Sequence, residues 1–199
     1  MTKMPVRAVC ALLVLCWAGP VLAHPGHPGA AGFAQGFFHP LSGLDHLIAM
    51  LAVGFYAGQR GGRAIWILPL AFVAVMAVGG ALGAVGVALP MLEQIIGLSV
   101  IVMSAAVGLG LRTPIWFAAA LIAAFALFHG DAHGLEGGAS VSFLRYGAGF
   151  IASTALLHIA GIGLALGLER VERGWALTAT RISAGAGALA GAALLAGSF

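Results

Sequence analysis

The chain has 199 residues, 61% of them hydrophobic and only 8% charged, with a mean hydropathy of +1.07. A soluble domain carries about 25% charged residues, so a water-soluble globule is excluded, and apolar runs of 18 or more residues read as membrane spans. The net charge of +3 rests on arginine, Lys3 being the one lysine, and there is no basic patch interleaved with aromatics. It therefore bears on topology and not on nucleic acid.

The N-terminus reads as a secretory signal peptide over residues 1–23. Lys3 and Arg7 form its basic region, Ala8 to Trp17 its apolar region, and Val21-Leu22-Ala23 a small-residue cleavage site. Both cysteines, Cys10 and Cys16, fall inside it. A mature chain without cysteine excludes disulfides, thiolate ligands and a cysteine nucleophile. Residues 24–38 then form a periplasmic segment that begins His24-Pro25-Gly26-His27-Pro28. A free amino group beside an imidazole can chelate a divalent ion, and His27 can add a third nitrogen. Pro25 lacks the N–H that a square-planar amide site would need.

An all-α integral membrane domain is expected over residues 39–199. Its six spans are 40–58, 64–88, 91–111, 114–131, 144–168 and 176–197, with short connections. With the mature N-terminus outside, alternation puts Arg60, Arg63, Arg112, Arg170, Arg173 and Arg181 on the cytoplasmic side and leaves Arg145 outside. The positive-inside rule expects that asymmetry, which is independent of the hydropathy that marks the spans. Six spans also divide into two sets of three, a possible 3+3 inverted arrangement of the kind common in transporters. Gly54/Gly58, Gly79/Gly83, Gly163/Gly167 and Gly187/Gly191 form small-xxx-small pairs suited to close helix packing.

The seven histidines avoid the cytoplasmic loops. Span one opens with His39-Pro40-Leu41-Ser42-Gly43-Leu44-Asp45-His46, and span four ends with His129-Gly130-Asp131-Ala132-His133. Ionisable groups in membrane segments are costly, and by default they mark function. His129 and His133, four apart, share a helix face and can grip one ion. His39 and His46 are separated by about 10 Å of rise on a straight helix. Either the helix breaks at Pro40 or Gly43, or the two histidines serve successive sites. Asp45 reads as a partner orienting an imidazole. Asp131 is a candidate for ligand or orienting partner of His129 and His133. His158 sits about 20 Å into span five, as a next station below. Glu136 is expected in a loop, as a recruiting charge near the cluster. Glu93 suits the first turn of its helix, and Met50 lies one turn below His46. Imidazole and carboxylate donors without thiolate point to a borderline divalent ion such as Ni²⁺, Co²⁺, Zn²⁺ or Cu²⁺. The methionines are scattered along the sequence, which disfavours Cu⁺.

These motifs resemble the HupE/UreJ family of bacterial nickel/cobalt permeases. The likeness rests on His39-Pro40-x-x-Gly43-x-Asp45-His46-x-x-Ala49-Met50-x-x-Val53-Gly54, on Phe128-His129-Gly130-x-Ala132-His133-Gly134 and on Leu157-His158-x-x-Gly161. The resemblance implies uptake of Ni²⁺ or Co²⁺ across the inner membrane, the ion being cargo and not a cofactor. It implies transport roles for His39, Asp45, His46, His129, His133 and His158. Beyond the ion and the lipid bilayer it names no partner, and the oligomeric state stays open. No P-loop pattern is present, so a secondary permease or channel is expected. A membrane metal sensor and an intramembrane metalloenzyme are the alternatives. The absence of H-E-x-x-H weighs against the latter.

Overall fold

A computed structural model of the protein describes residues 28–137 and 141–198. The signal-peptide region, both cysteines, His24 and His27 lie outside the described residues. Seven helices and no strand occur among the described residues. They are α1 (Pro28–Ser42), α2 (Leu44–Arg60), α3 (Ala64–Ala84), α4 (Leu92–Gly108), α5 (Ile115–Gly137), α6 (Val141–Leu168) and α7 (Arg173–Gly197). Only a helix satisfies its own backbone in hydrocarbon, strand edges being excluded there.

Among the described residues, four helices are long and apolar enough to cross a membrane: α3, α5, α6 and α7. The segment Gly32–Ser42 and α2 qualify together, but they meet at a bend of 80°, so the number is four, or five if that pair is one span. The expected first span is therefore not one straight helix. Pro40 is tolerated inside α1, and the break falls at Gly43, whose backbone is extended. The expected third span is α4, at 17 residues about 25 Å long. That is slightly short of a 30 Å hydrocarbon core.

Two parallel helix pairs form the centre. In the pair α3·α5, a Cβ built at Gly79 or Gly83 would collide with backbone of α5, and one at Gly130 or Gly134 with backbone of α3. In the pair α2·α6, Gly54 abuts the backbone of His158, and Gly161 that of Leu51 and Phe55. Without a hydrophobic force between helices in lipid, such backbone-to-backbone approach is what gives packing energy. The antiparallel pair α4·α7 closes on Gly97, Gly187 and Gly191. A Cβ built at Gly163 or Gly167 would meet open space, so this small-residue pair is not a point of close helix approach among the described residues.

Helix direction sorts the ends. The Arg60 guanidinium donates to Tyr56 Oη at 2.9 Å, and Tyr56 Oη lies 3.3 Å from Thr113 Oγ1. This arginine end, with Arg63 and Arg112, is opposite the histidine end, where α1 turns into α2 and α5 terminates.

Candidate metal centre

The bend at Gly43 decides the geometry of the site. It folds the last turn of α1 back over the first turn of α2, so His39 and His46, seven apart in sequence, have ring centroids only 6.2 Å apart. Of the two readings left open by the sequence, the broken helix is the observed one. His133 comes from α5 into the gap, with ring centroids 4.6 Å from His39 and 4.4 Å from His46. His129 stands a turn deeper, 4.8 Å from His46 by centroids.

His133 presents its two nitrogens to two different groups. Its Nε2 faces His46 Nε2 at 2.7 Å. Its Nδ1 lies 3.5 Å from Glu136 Oε2, which is also 3.5 Å from His39 Nε2. Ligand atoms of His39, His133 and Glu136 fall within 4.8 Å of one another, close enough to hold a metal ion. Tyr146 Oη reaches the same Nδ1 at 3.5 Å, and the Phe150 ring packs 3.9 Å from the His133 ring.

The supporting contacts fix tautomers. Asp45 Oδ1 accepts a hydrogen bond from His46 Nδ1–H at 2.9 Å, which leaves His46 Nε2 as a bare lone pair directed at His133. Asp45 thus stands where an orienting partner stands. Ser99 Oγ donates its one hydrogen to Ile96 O at 2.7 Å, so at 2.9 Å it accepts from His129 Nε2–H. His129 Nδ1 is then an unprotonated nitrogen, buried, with no partner among the described residues. Metal ligation uses such a nitrogen.

Other expectations fall elsewhere. Asp131 does not join the imidazoles. Its Oδ2 accepts the Leu89 backbone N–H at 3.0 Å and so ties down the α3–α4 connection. The reason is helical: Asp131 is two residues from both His129 and His133, and residues two apart point away from each other. Glu136 is not a loop acid. α5 continues through it, because the helical cost of Gly134 is offset by its close approach to the backbone of α3 at Gly80 and Ala84. His158 is fully buried against Phe72, ring centroids 5.1 Å apart, and neither of its nitrogens has a partner among the described residues. Phe72 also lies 5.8 Å from His129 and so separates the two levels. Glu93 occupies the first turn of α4.

Sequence reasoning passed over Ser99, Tyr146 and Phe150. Ser99 carried a weak signal, being one of two hydroxyls, with Ser104, in the apolar part of its helix. Tyr146 and Phe150 had none, since aromatics on an apolar helix read as packing.

Two of the motifs thus converge in space as an imidazole–carboxylate cluster in an apolar helical bundle, and the third, with His158, stands at a separate level below it. The profile described as HupE / UreJ protein matches residues 12–194. The chain belongs to the HupE/UreJ family. A relative, Protein HupE of Rhizobium leguminosarum bv. viciae, is 48% identical over 180 residues, covering 89% of this chain and 92% of the relative. No solved structure matches. HupE/UreJ proteins are a transporter-type family associated with nickel and cobalt, and the chain is a multi-pass membrane protein.

Proposed function

We propose that this HupE/UreJ protein is a secondary permease or channel that brings Ni²⁺ or Co²⁺ across the cytoplasmic membrane. The observation that carries the reading is His133, one imidazole standing between two donor groups. An ion arrives at His39, Glu136 and His133 Nδ1. It then crosses to His133 Nε2 and His46 Nε2, and moves on past His129 towards His158. Each transfer exchanges one nitrogen for another, so no step requires a fully dehydrated ion in hydrocarbon. Affinity at each level must stay moderate, because an ion held tightly cannot leave.

The histidine end faces the periplasm in this reading and the arginine end the cytoplasm, with six crossings in all, α4 being the short one. Exchanging α2 for α5 and α3 for α6 maps the pair α2·α6 onto α5·α3 and α4·α7 onto itself, as an inverted 3+3 arrangement requires. The cleaved N-terminus, with His24 and His27, serves as a capture arm. Deleting residues 24–28 should slow uptake at limiting metal and leave it unchanged at saturating metal. Uptake that is unaffected at both levels removes the arm from the mechanism.

Purified protein in liposomes, loaded with an ion-sensitive dye, tests the central claim. Ni²⁺ should enter with wild type and not with His133→Ala. Metal binding without any flux would make the protein a sensor; equal flux in the variant would remove His133 from the path.

A further inference from the structure

Two methionines that lie far apart in sequence, Met50 and Met76, meet in the fold. Thr154 Oγ1, on α6, lies 3.3 Å from Met50 Sδ of α2 and 3.8 Å from Met76 Sδ of α3. All three side chains are fully buried. Helical register fixes what stands above and below them, since residues four apart share a face. One turn towards the histidine end, His46 precedes Met50 and Phe150 precedes Thr154. One turn the other way lie Gly54, His158 and Phe72, and His158 packs against both of the others. The two sulfurs therefore occupy the level between the His46–His133 pair and His158. Met76 and His133 both line one largely apolar cavity of about 330 Å³ between α3, α5 and α6.

His158 supplies the second observation. At 1% exposure, with neither nitrogen partnered among the described residues, its polarity is uncompensated by packing. A buried polar group without a hydrogen bond costs free energy, and a ligand that visits would return it.

We propose that Met50 Sδ, Met76 Sδ and a ring nitrogen of His158 form a second, sulfur-containing site for the transition-metal ion, with Thr154 Oγ1 gathering the two thioethers. The proposal rests on the transport reading above. Thioethers are neutral and soft. They bind a borderline divalent ion more weakly than imidazoles do, so the ion can leave the nitrogen cluster without being trapped one turn lower. They offer little to Mg²⁺ or Ca²⁺, which need oxygen, so this level also filters.

The test uses the full chain in liposomes, with Ni²⁺ and the soft ion Ag⁺ as probes. The double variant Met50→Leu/Met76→Leu keeps volume, a swap that cores tolerate, but removes both donors. Ni²⁺ binding at the nitrogen cluster should stay within about twofold, while Ni²⁺ flux falls about tenfold or more, the scale of losing a supporting ligand. Ag⁺ should block wild-type flux and lose at least as much potency on the variant. Unchanged flux together with unchanged Ag⁺ potency overturns the site. A selenomethionine-labelled wild type keeps the question open to measurement if the variant misfolds or if wild type carries no Ni²⁺. An Ag⁺ neighbour at bonding distance in selenium-edge absorption supports the site even where the transport reading has failed. Selenium surrounded by light atoms alone overturns it.

Discussion

His46 Nε2 and His133 Nε2 face each other at 2.7 Å across the α2–α5 interface. Two nitrogens on one metal, each about 2.0–2.1 Å from it, stand roughly 3 to 3.4 Å apart. The pair is thus set slightly tighter than a metal needs. In the transport reading proposed above, an ion bound by both nitrogens would take the place of the hydrogen bond between the rings, with the His133 proton moving to Nδ1 beside Glu136, and would spread the rings by a few tenths of an ångström.

Asp45 is the first residue on which this depends. Asp45→Asn keeps the shape at His46 Nδ1 but no longer presents a carboxylate, so the tautomer that bares Nε2 loses its preference. Metal affinity at the cluster should fall by about 10- to 100-fold. Isothermal titration of the purified variant with Ni²⁺ measures it, and wild-type affinity would mean that Asp45 does not orient the ring.

Acid should inhibit. Imidazole binds metal only in its neutral form, and an ordinary histidine titrates at about 6.5. Each proton that must leave opposes binding as pH drops, so uptake should fall on acidification and never rise. Initial Ni²⁺ rates in liposomes clamped at equal internal pH check the sign. A flat profile would exclude histidine ligation from the slow step.

Glu136 is more than half exposed and lies between His39 and His133. An exposed acid at the mouth attracts cations over a Debye length of about 10 Å at 0.1 M salt. Glu136→Gln should reduce uptake most at low metal and low ionic strength, and the gap to wild type should narrow as salt is added. A deficit independent of salt would make Glu136 a ligand first and a recruiting charge second.

Packing at glycine separates two outcomes. Gly79→Leu would drive a side chain into the Leu127 carbonyl and should cost about 1–3 kcal/mol or more. Gly163→Leu meets open space and should cost little. Thermal unfolding in detergent compares them. Equal melting temperatures would mean that the α3·α5 contact does not hold the bundle together.

Much of this architecture is visible in hydropathy alone. The helices over 64–84, 143–168 and 173–197 lie close to their expected limits because lipid rewards continuous apolar segments and penalises every break. The bend was less legible. Pro40 and Gly43 were both candidates, and Pro40 proved harmless inside α1. Glu136 was misplaced because a polar Gly-rich stretch resembles a loop, whereas Ala132 and Leu135 carry the helix on. Nearness in sequence makes Asp131 a neighbour of both histidines, although a spacing of two points it away from them and its Oδ2 holds the Leu89 N–H. Met76 and Ser99 could not be paired from sequence at all. Each is a single residue in an apolar helix, and its partner lies on another helix tens of residues away.

The fold-back at Gly43 has an electrical consequence. Both α1 and α5 end within a turn of His39, His133 and Glu136, and each helix C-terminus carries roughly half a negative charge on its free carbonyls. Two such ends converge on the mouth, so it is attractive to cations before any side chain ionises. The opposite pole, the N-terminus of α2, falls beside Asp45 and stabilises that carboxylate. A straight helix through Gly43 would cancel both poles, so the kink itself supplies a field that the sequence holds in no charged residue.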